Sequence, residues 1–438
     1  VFMFTIDFVL ASRIENGLPW ITVRPDVAQS ILTTIAGAMV TVAGVVFSIT
    51  IVTLSLVTQQ LGPRLLRRFM ENRSTQIMMG SLIGLSIYAF LILGAVRAGE
   101  TSFVPYLSVA LATAGVVVEL GLLVYFFHNM AVSVQAESII ESVSVDLDES
   151  IERLYPDHID ETSRPLVSHE AISAQLARWG ENCQPVPASR DGYLQAVDVE
   201  ALIGLAEEHE FVVHIKPRPG DFVVKDDPLL MVWRAKSFDD DLVRELRGQF
   251  YLGRRPTPRQ DVLCAIDELV EVAIRALSPG INDPYTTRYC VDHLGAALQR
   301  LALRQPPVPF HVDSRNELRL VWFVRTFTDV LDHAMYPLRQ YGASHPMVMV
   351  QLLRMLQRIA ETVRREEDGQ AVLEHARHIL DESEREFGTS VDITVVQKLY
   401  KELESGRNDG PNGELRPQQT ADLVETKPTA AEGALDSR

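Results

Sequence analysis

QSILTTIAGAMVTVAGVVFSITIVTLSLVT, residues 29–58, runs for 30 positions without a charge, longer than the roughly 20 apolar residues with which a helix crosses a bilayer. Its polar positions are ordered. Steps of three and four meet Thr34, Gly37, Thr41, Gly44, Ser48, Ile51, Ser55 and Thr58, which share one helical face. Apart from Ile51, each is glycine or carries a hydroxyl. The remaining surface is mostly Ile, Leu, Val, Met and Phe, suited to lipid or to other helices. A face of this kind serves close helix packing, because small residues admit a neighbouring backbone and hydroxyls bond across. It serves equally as a pore lining, where small side chains leave a lumen and hydroxyls wet it. The stripe extends over the whole span, and a helix that touches one neighbour rarely needs so long a small face.

Downstream, Gly62-Pro63 can stop one helix and start the next. In the RLLRRFMENRS that follows, Leu65, Leu66, Phe69 and Met70 lie on one side while Arg64, Arg67 and Arg68 spread elsewhere. This reads as an amphipathic piece on the membrane surface, its arginines against lipid headgroups. Two more apolar spans follow at about 75–96 and 103–127, joined by RAGETS. Upstream, FMFTIDFVLA is too short to span and lacks the basic flank of a signal peptide, so it reads as the outer end of a truncated first transmembrane helix.

Arg64, Arg67, Arg68 and Arg73 face a single acid between two spans, whereas the loops 11–28 and 97–102 balance their charges. The positive-inside rule then puts 60–74, and everything after 127, in the cytoplasm of a bacterial inner membrane. Glu119 lies within a span, where an acid is expensive and by default functional; a protonated clamp bonded to hydroxyls is the structural alternative. The same depth on the other helices holds Ser48 and either Ser81 or Gly84.

Beyond 130 the composition is that of a soluble protein. Ile140, Val143, Leu147, Ile151 and Leu154 recur at three-four spacing, predicting a stalk helix that continues the last span and pairs as a coiled coil or packs on its own domain. One helix is expected at 169–179. GYLQAVD reads as a strand, Asp198 as the cap of a short helix, and FVVHIKPRPGDFVVKDDPLLMVWR as β runs broken at Pro219-Gly220 and at Asp226-Asp227-Pro228. The turn rhythm resembles biotin- or lipoate-carrier barrels, but the carrier lysine between methionines is absent, so the shape alone is kept. From Arg259 the pattern is helical, with Val262, Ile266, Leu269, Val270 and Ala273 on one face. In ALSPGINDPYTT, residues 276–287, Asp283 can cap a helix with Pro284 at its first position. The motif is a rigid corner or, through Asn282, Asp283, Thr286 and Thr287, a polar nest for a ligand. Later helices are expected at 325–341, 346–366, 370–387 and 391–404.

The chain therefore divides into 1–28 (truncated helix and outer loop), 29–130 (transmembrane), 131–187 (stalk and connector), 188–258 (small mixed α/β module), 259–404 (helical) and 405–438 (polar, Pro/Gly-rich and disordered). The fold class is an α-helical integral membrane protein, three full transmembrane helices plus a truncated first one, with a cytoplasmic α+β domain that is mostly helical. A net charge of −17 over 438 residues argues against nucleic acid. Three scattered cysteines fit a reducing compartment and give no metal pattern. The acid-histidine pairs Asp292-His293 and Asp332-His333 lack ligand spacing, and no nucleophile–base pair, phosphate loop or cofactor motif is legible. Neither a metal nor a cofactor nor an enzymatic activity is expected.

Three stretches, VFSITIVTLSLVTQQLGPRLLRRFMENRSTQ, RPGDFV and ALSPGINDPYTT, together resemble an uncharacterised family of bacterial predicted membrane proteins known only as a domain of unknown function. The resemblance covers nearly all of the chain but the tail. It implies several N-terminal membrane helices and a cytoplasmic domain, and it carries no activity or site residue. The functional expectation is an oligomeric channel or pore-like protein with the 29–58 helices of several subunits around a central axis, its partners being membrane lipids and further copies of itself. The alternative is a membrane-anchored sensor or scaffold whose cytoplasmic domain binds a ligand or protein.

Overall fold

The computed structural model describes residues 23–62, 73–97, 103–133, 135–156, 183–233, 238–306, 308–313, 315, 317–388 and 391–408. The run 1–22, the segment of Arg64, Arg67 and Arg68, the helix expected at 169–179 and the tail beyond 408 lie outside the described residues. Three helices are long and apolar enough to cross a membrane: α1 (Pro25–Leu61), α2 (Arg73–Leu93) and α3 (Tyr106–Ser133). Proline opens α1, where its missing N–H has no helical partner to lose. Gly62 closes it at φ +113°, a backbone state that side chains other than hydrogen resist.

The three helices pack through small residues, but not through the 29–58 stripe. Ala28, Leu32, Ala36 and Met39 of α1, Ser86 and Ala89 of α2, and Ser108 and Ala112 of α3 are buried, and α2 is the main neighbour of α1. Ser86 Oγ donates to the Ala36 carbonyl at 3.2 Å, and Tyr88 OH to the Ser108 carbonyl at 3.3 Å. Alanine and serine thus do here the close-approach work that membrane helices require of small residues.

The stalk is not a continuation of the last span. α3 ends at Ser133, Gln135 is extended (φ −69°, ψ 129°), and α4 (Ala136–Leu154) starts anew. Of the two expected partners for α4, the chain's own extramembrane part is the one observed. Ile140, Val143, Leu147 and Ile151 are buried against two later helices, α7 (Leu263–Ala276) and α8 (Pro284–Leu303), each side chain worth about 1.5–3 kcal/mol relative to exposure. Arg300 on α8 is ion-paired to Asp148.

The strands are β1 (Cys183–Pro187), β2 (Gly192–Val197), β3 (Val212–Ile215), β4 (Phe222–Val223), β5 (Pro228–Trp233), β6 (Phe250–Gly253), β7 (Phe310–Val312) and β8 (Leu318–Trp322). Helix α5 (Val199–Glu208) follows β2, with the Asp198 carboxylate accepting the Ala201 N–H at 3.0 Å, and α6 (Asp240–Gly248) precedes β6. Among the described residues the sheets have five strands, β1-β5-β3-β8-β7, and three, β4-β2-β6. β3 and β8 pair in parallel, with His214 opposite Val321. This crosses the boundary expected at 258: β7 and β8 come from the segment read as helical and complete the sheet begun by the mixed module. The chain ends in a bundle of α7, α8, α9 (Phe327–Gly342), α10 (Pro346–Thr362), α11 (Glu366–Phe387) and α12 (Val391–Asn408). α12 runs four residues into the stretch read as disordered. The core of the bundle joins Leu269, from the apolar face read in the sequence, to Leu294, Leu331, Leu352 and Val372 of the other helices.

Candidate functional site

Where α4 ends, α5 passes, β8 leaves the sheet and α7 begins, a cavity of about 430 Å³ remains, within the range of small-molecule sites. Its wall is apolar where Leu154, Val199, Ile203, Val262, Trp322 and Val324 meet. Polar groups close it on one side. Tyr155, the C-cap of α4, donates from its OH to the Arg325 carbonyl at 3.1 Å, and burial pushes this phenol above its ordinary range. Gln260 is used up by the backbone, donating to the Val197 carbonyl at 3.1 Å and accepting the Val197 N–H at 2.9 Å. Trp322 Nε1 donates to the Pro217 carbonyl at 3.1 Å, leaving its ring for the cavity.

Asp261 is the odd member of this wall. It is 5% exposed, with Oδ1 accepting the Leu263 N–H at 3.0 Å as α7 starts. Its other oxygen lies against Gly220 of the RPGDFV turn, where a Cβ would come within 2.3 Å and where φ is +91°. Glycine is required there on both counts. Burial pushes the Asp261 carboxyl up to about 6, against the pull of the Leu263 N–H and of Arg325, as desolvation of a charged form demands. The nearby cations are paired elsewhere: Arg325 with Asp221 at 2.9 Å and Arg218 with Asp329 at 3.4 Å. Burial lowers the pKa of the His311 imidazole below its ordinary value.

Two connections run from this cavity to the apolar helices. Leu154 and Tyr155 belong to the end of α4, which follows α3. Asp261 and Val262 begin α7, whose Glu271 and Arg275 meet α1: a Cβ on Gly62 would sit 2.4 Å from Glu271 Oε1. Beside that junction lies a second, more open space of about 610 Å³ bordered by Asp267, Arg275, His333 and Tyr336.

The residues singled out in the sequence fall in separate places. Thr34, Gly37, Thr41, Gly44, Ser48 and Ser55 are exposed on the protomer, Thr58 half-buried, and nothing lies within 4 Å of a Cβ at Gly37 or Gly44. The hydroxyls of Thr34, Thr41 and Thr58 donate to the carbonyls of Ser30, Gly37 and Leu54 at 2.7–2.9 Å, the local back-bonding that hides a hydroxyl in a helix. Glu119 is buried between α2 and α3, where Ser81 Oγ donates to it at 3.3 Å; Ser48, at matching depth, faces away. At the 276–287 corner Asp283 accepts the N–H groups of Tyr285 (3.1 Å) and Thr286 (3.2 Å) and the Thr286 hydroxyl at 2.6 Å. The Thr286 hydroxyl above all, with the two N–H groups, holds this carboxyl below its usual range. Asn282 is exposed at φ +50°. Thr287 is placed apart from the other three: it is buried and its hydroxyl donates to the Ala273 carbonyl at 2.9 Å, fastening α8 to α7. The acid-histidine neighbours also part company. Asp332 pairs with His375 at 2.7 Å, His333 with Asp267 at 2.6 Å, and Asp292 accepts from Gln351. Among the described residues no group of His, Cys, Asp and Glu has metal-binding geometry.

Three helices long and apolar enough to cross a bilayer, joined through α4 and α7 to an α+β body that holds a cavity of about 430 Å³, are what a membrane protein of several spans presents. The chain belongs to the family of predicted membrane proteins called DUF2254, whose model matches residues 1–358. It is similar to an uncharacterized protein of Mycobacterium bovis and to one of Mycobacterium tuberculosis, each 28% identical over 381 residues, which is 85% of this chain and 71% of the relative. No solved structure matches the chain.

Proposed function

We propose that this is a membrane-anchored sensor whose extramembrane part, on the cytoplasmic side of a bacterial inner membrane, binds a small molecule in the Asp261 cavity. One observation carries the reading: the cavity wall is shared by the ends of the two helices that lead to the membrane region. Occupancy would therefore bear on α4 directly and, through α7 and its contact at Gly62, on α1. The arginine-rich segment around Arg64, Arg67 and Arg68 supports the cytoplasmic side; a fluorescent protein fused to the C-terminus would be dark if that side is wrong. The sensor reading is tested by native mass spectrometry of the full-length protein purified in detergent. The expected result is a co-purifying compound of a few hundred daltons, lost when Ile203→Trp fills the cavity. Retention of the compound by that variant, or no bound species and no stabilisation by any member of a small-molecule library, overturns it.

A second reading, an oligomeric channel with α1 of several subunits around a central axis, draws support from the outward direction of the stripe. The protomer packs through its alanines and serines and leaves Gly37, Thr41, Gly44 and Ser48 to an outside partner. Current across a planar bilayer from the full-length protein, altered by Gly44→Trp, is the expected result on this reading. Silence under both voltage and tension leaves the stripe as a contact between subunits or with acyl chains.

A further inference from the structure

We propose that the Asp261 cavity selects a small organic cation, a protonated amine on an apolar body, with the Asp261 carboxylate as its counter-ion. The inference rests on the sensor reading and adds the chemistry of the ligand to it. Asp261 is 5% exposed, yet among the described residues it has no Lys, Arg or His nitrogen within ion-pair distance, while its neighbours Arg325 and Arg218 are each committed to another acid. An acid in such a place has lost water and gained one backbone N–H, with Arg325 and His333 acting only from beyond ion-pair distance, so a cation in direct contact would complete it. On the cavity wall the one arginine, Arg325, gives a terminal nitrogen to Asp221 and keeps its buried Nε without a hydrogen-bond partner, so its charge is shared with an acid outside the wall, and burial lowers the His311 pKa below its ordinary value. Glu200, exposed on the same wall, adds a second negative charge that draws cations and turns away carboxylates.

The rest of the wall fits the body of such a molecule. Val199, Ile203, Val262 and Val324 offer aliphatic surface, and the Trp322 ring, its N–H already bonded to Pro217, offers an aromatic face that attracts cations as well as apolar groups. Asp261 also sits where charge would be felt by the fold. Its oxygens hold the first turn of α7 and touch the Gly220 turn, so a cation drawn to it presses on the helix that reaches Gly62.

The test compares three probes with one body, cyclohexylamine, cyclohexanol and cyclohexanecarboxylate, by thermal unfolding and calorimetry of the full-length protein in detergent at pH 8. The amine should bind most tightly. Asp261→Asn, which keeps the shape and the acceptor for Leu263, should weaken the amine by roughly tenfold or more and leave the alcohol unchanged. Ile203→Trp should exclude all three. Equal binding of the three probes, a preference for the carboxylate, or an amine that binds Asp261→Asn as well as it binds the native protein overturns the charge assignment and leaves the cavity standing. Failure of every probe to bind, with Ile203→Trp indistinguishable from native, removes the cavity as a site altogether.

Discussion

Asp261→Asn should stabilise the protein by about 3 kcal/mol at pH 8 and by almost nothing at pH 4. The Asp261 carboxyl rises from an ordinary 3.8 to about 6 in the folded chain because burial disfavours its charged form, and a difference of that size corresponds to about 3 kcal/mol. Below the unfolded value both states hold the proton and the site costs nothing. Between about 4 and 6 the folded state binds more protons than the unfolded one, so stability falls as pH rises; above 6 the loss is complete. Asparagine has no such proton, so the difference between the two unfolding curves isolates this group from Arg325, Asp267 and His333, whose charges also act on it. At roughly 2–4 °C per kcal/mol for a unit of this size, the gain is easily measured. A difference that stays flat across that pH window would show that Asp261 is not the buried acid described here. A residue whose isostere is more stable persists for another reason, and counter-ion duty is the reason offered above.

How much of this could be read beforehand varied with the range of the interaction. The spans expected at 29–58, 75–96 and 103–127 appear as α1, α2 and α3 because composition alone decides them. The faces of α4 and α7 follow a period of 3.6 and were equally visible. The partner of Glu119 was visible only as a short set, since counting depth along the helices reaches Ser48 and either Ser81 or Gly84, of which Ser81 makes the bond. The strands β7 and β8 were not visible, being three and five residues long and joined to the sheet through the parallel pairing of β8 with β3, about a hundred residues earlier. The cavity was least legible of all. Its wall comes from segments between Leu154 and Arg325, and in the sequence Asp261 looks like any acid ahead of a helix. The one local trace was Pro219-Gly220, whose glycine, read as a turn, also makes room for that carboxylate. The outward direction of the 29–58 stripe depends on which alanines and serines the other two helices present, which no single segment states.

Asp313→Ala should cost about 3–5 kcal/mol, the range for stripping the counter-ion from a buried charge. Arg319 on β8 has a side chain only 4% exposed, and the Asp313 carboxylate, fully buried, accepts its Nε at 2.7 Å. The same carboxylate accepts the N–H groups of Arg315 and Glu317 at 2.9 Å each, so it also ties the turn between β7 and β8. Glu317 contacts Arg319 at 2.6 Å but is 61% exposed, too wet to replace what is lost. Asp313→Asn, which keeps one acceptor oxygen for the Arg315 and Glu317 N–H groups but neither the charge nor the second acceptor, should fall between native and alanine. The double variant Asp313→Ala with Arg319→Met should recover much of the loss, since a buried pair exchanged for apolar groups is often neutral; its cycle measures the coupling. The damage should travel. β8 runs straight into Trp322, Val324 and Arg325 of the cavity wall, so amide exchange should speed up along residues 318–325 and probe binding should weaken in step with stability. An alanine variant as stable as native would mean that the hairpin does not depend on this pair, and that the cavity's position rests on the parallel pairing of β3 with β8 alone.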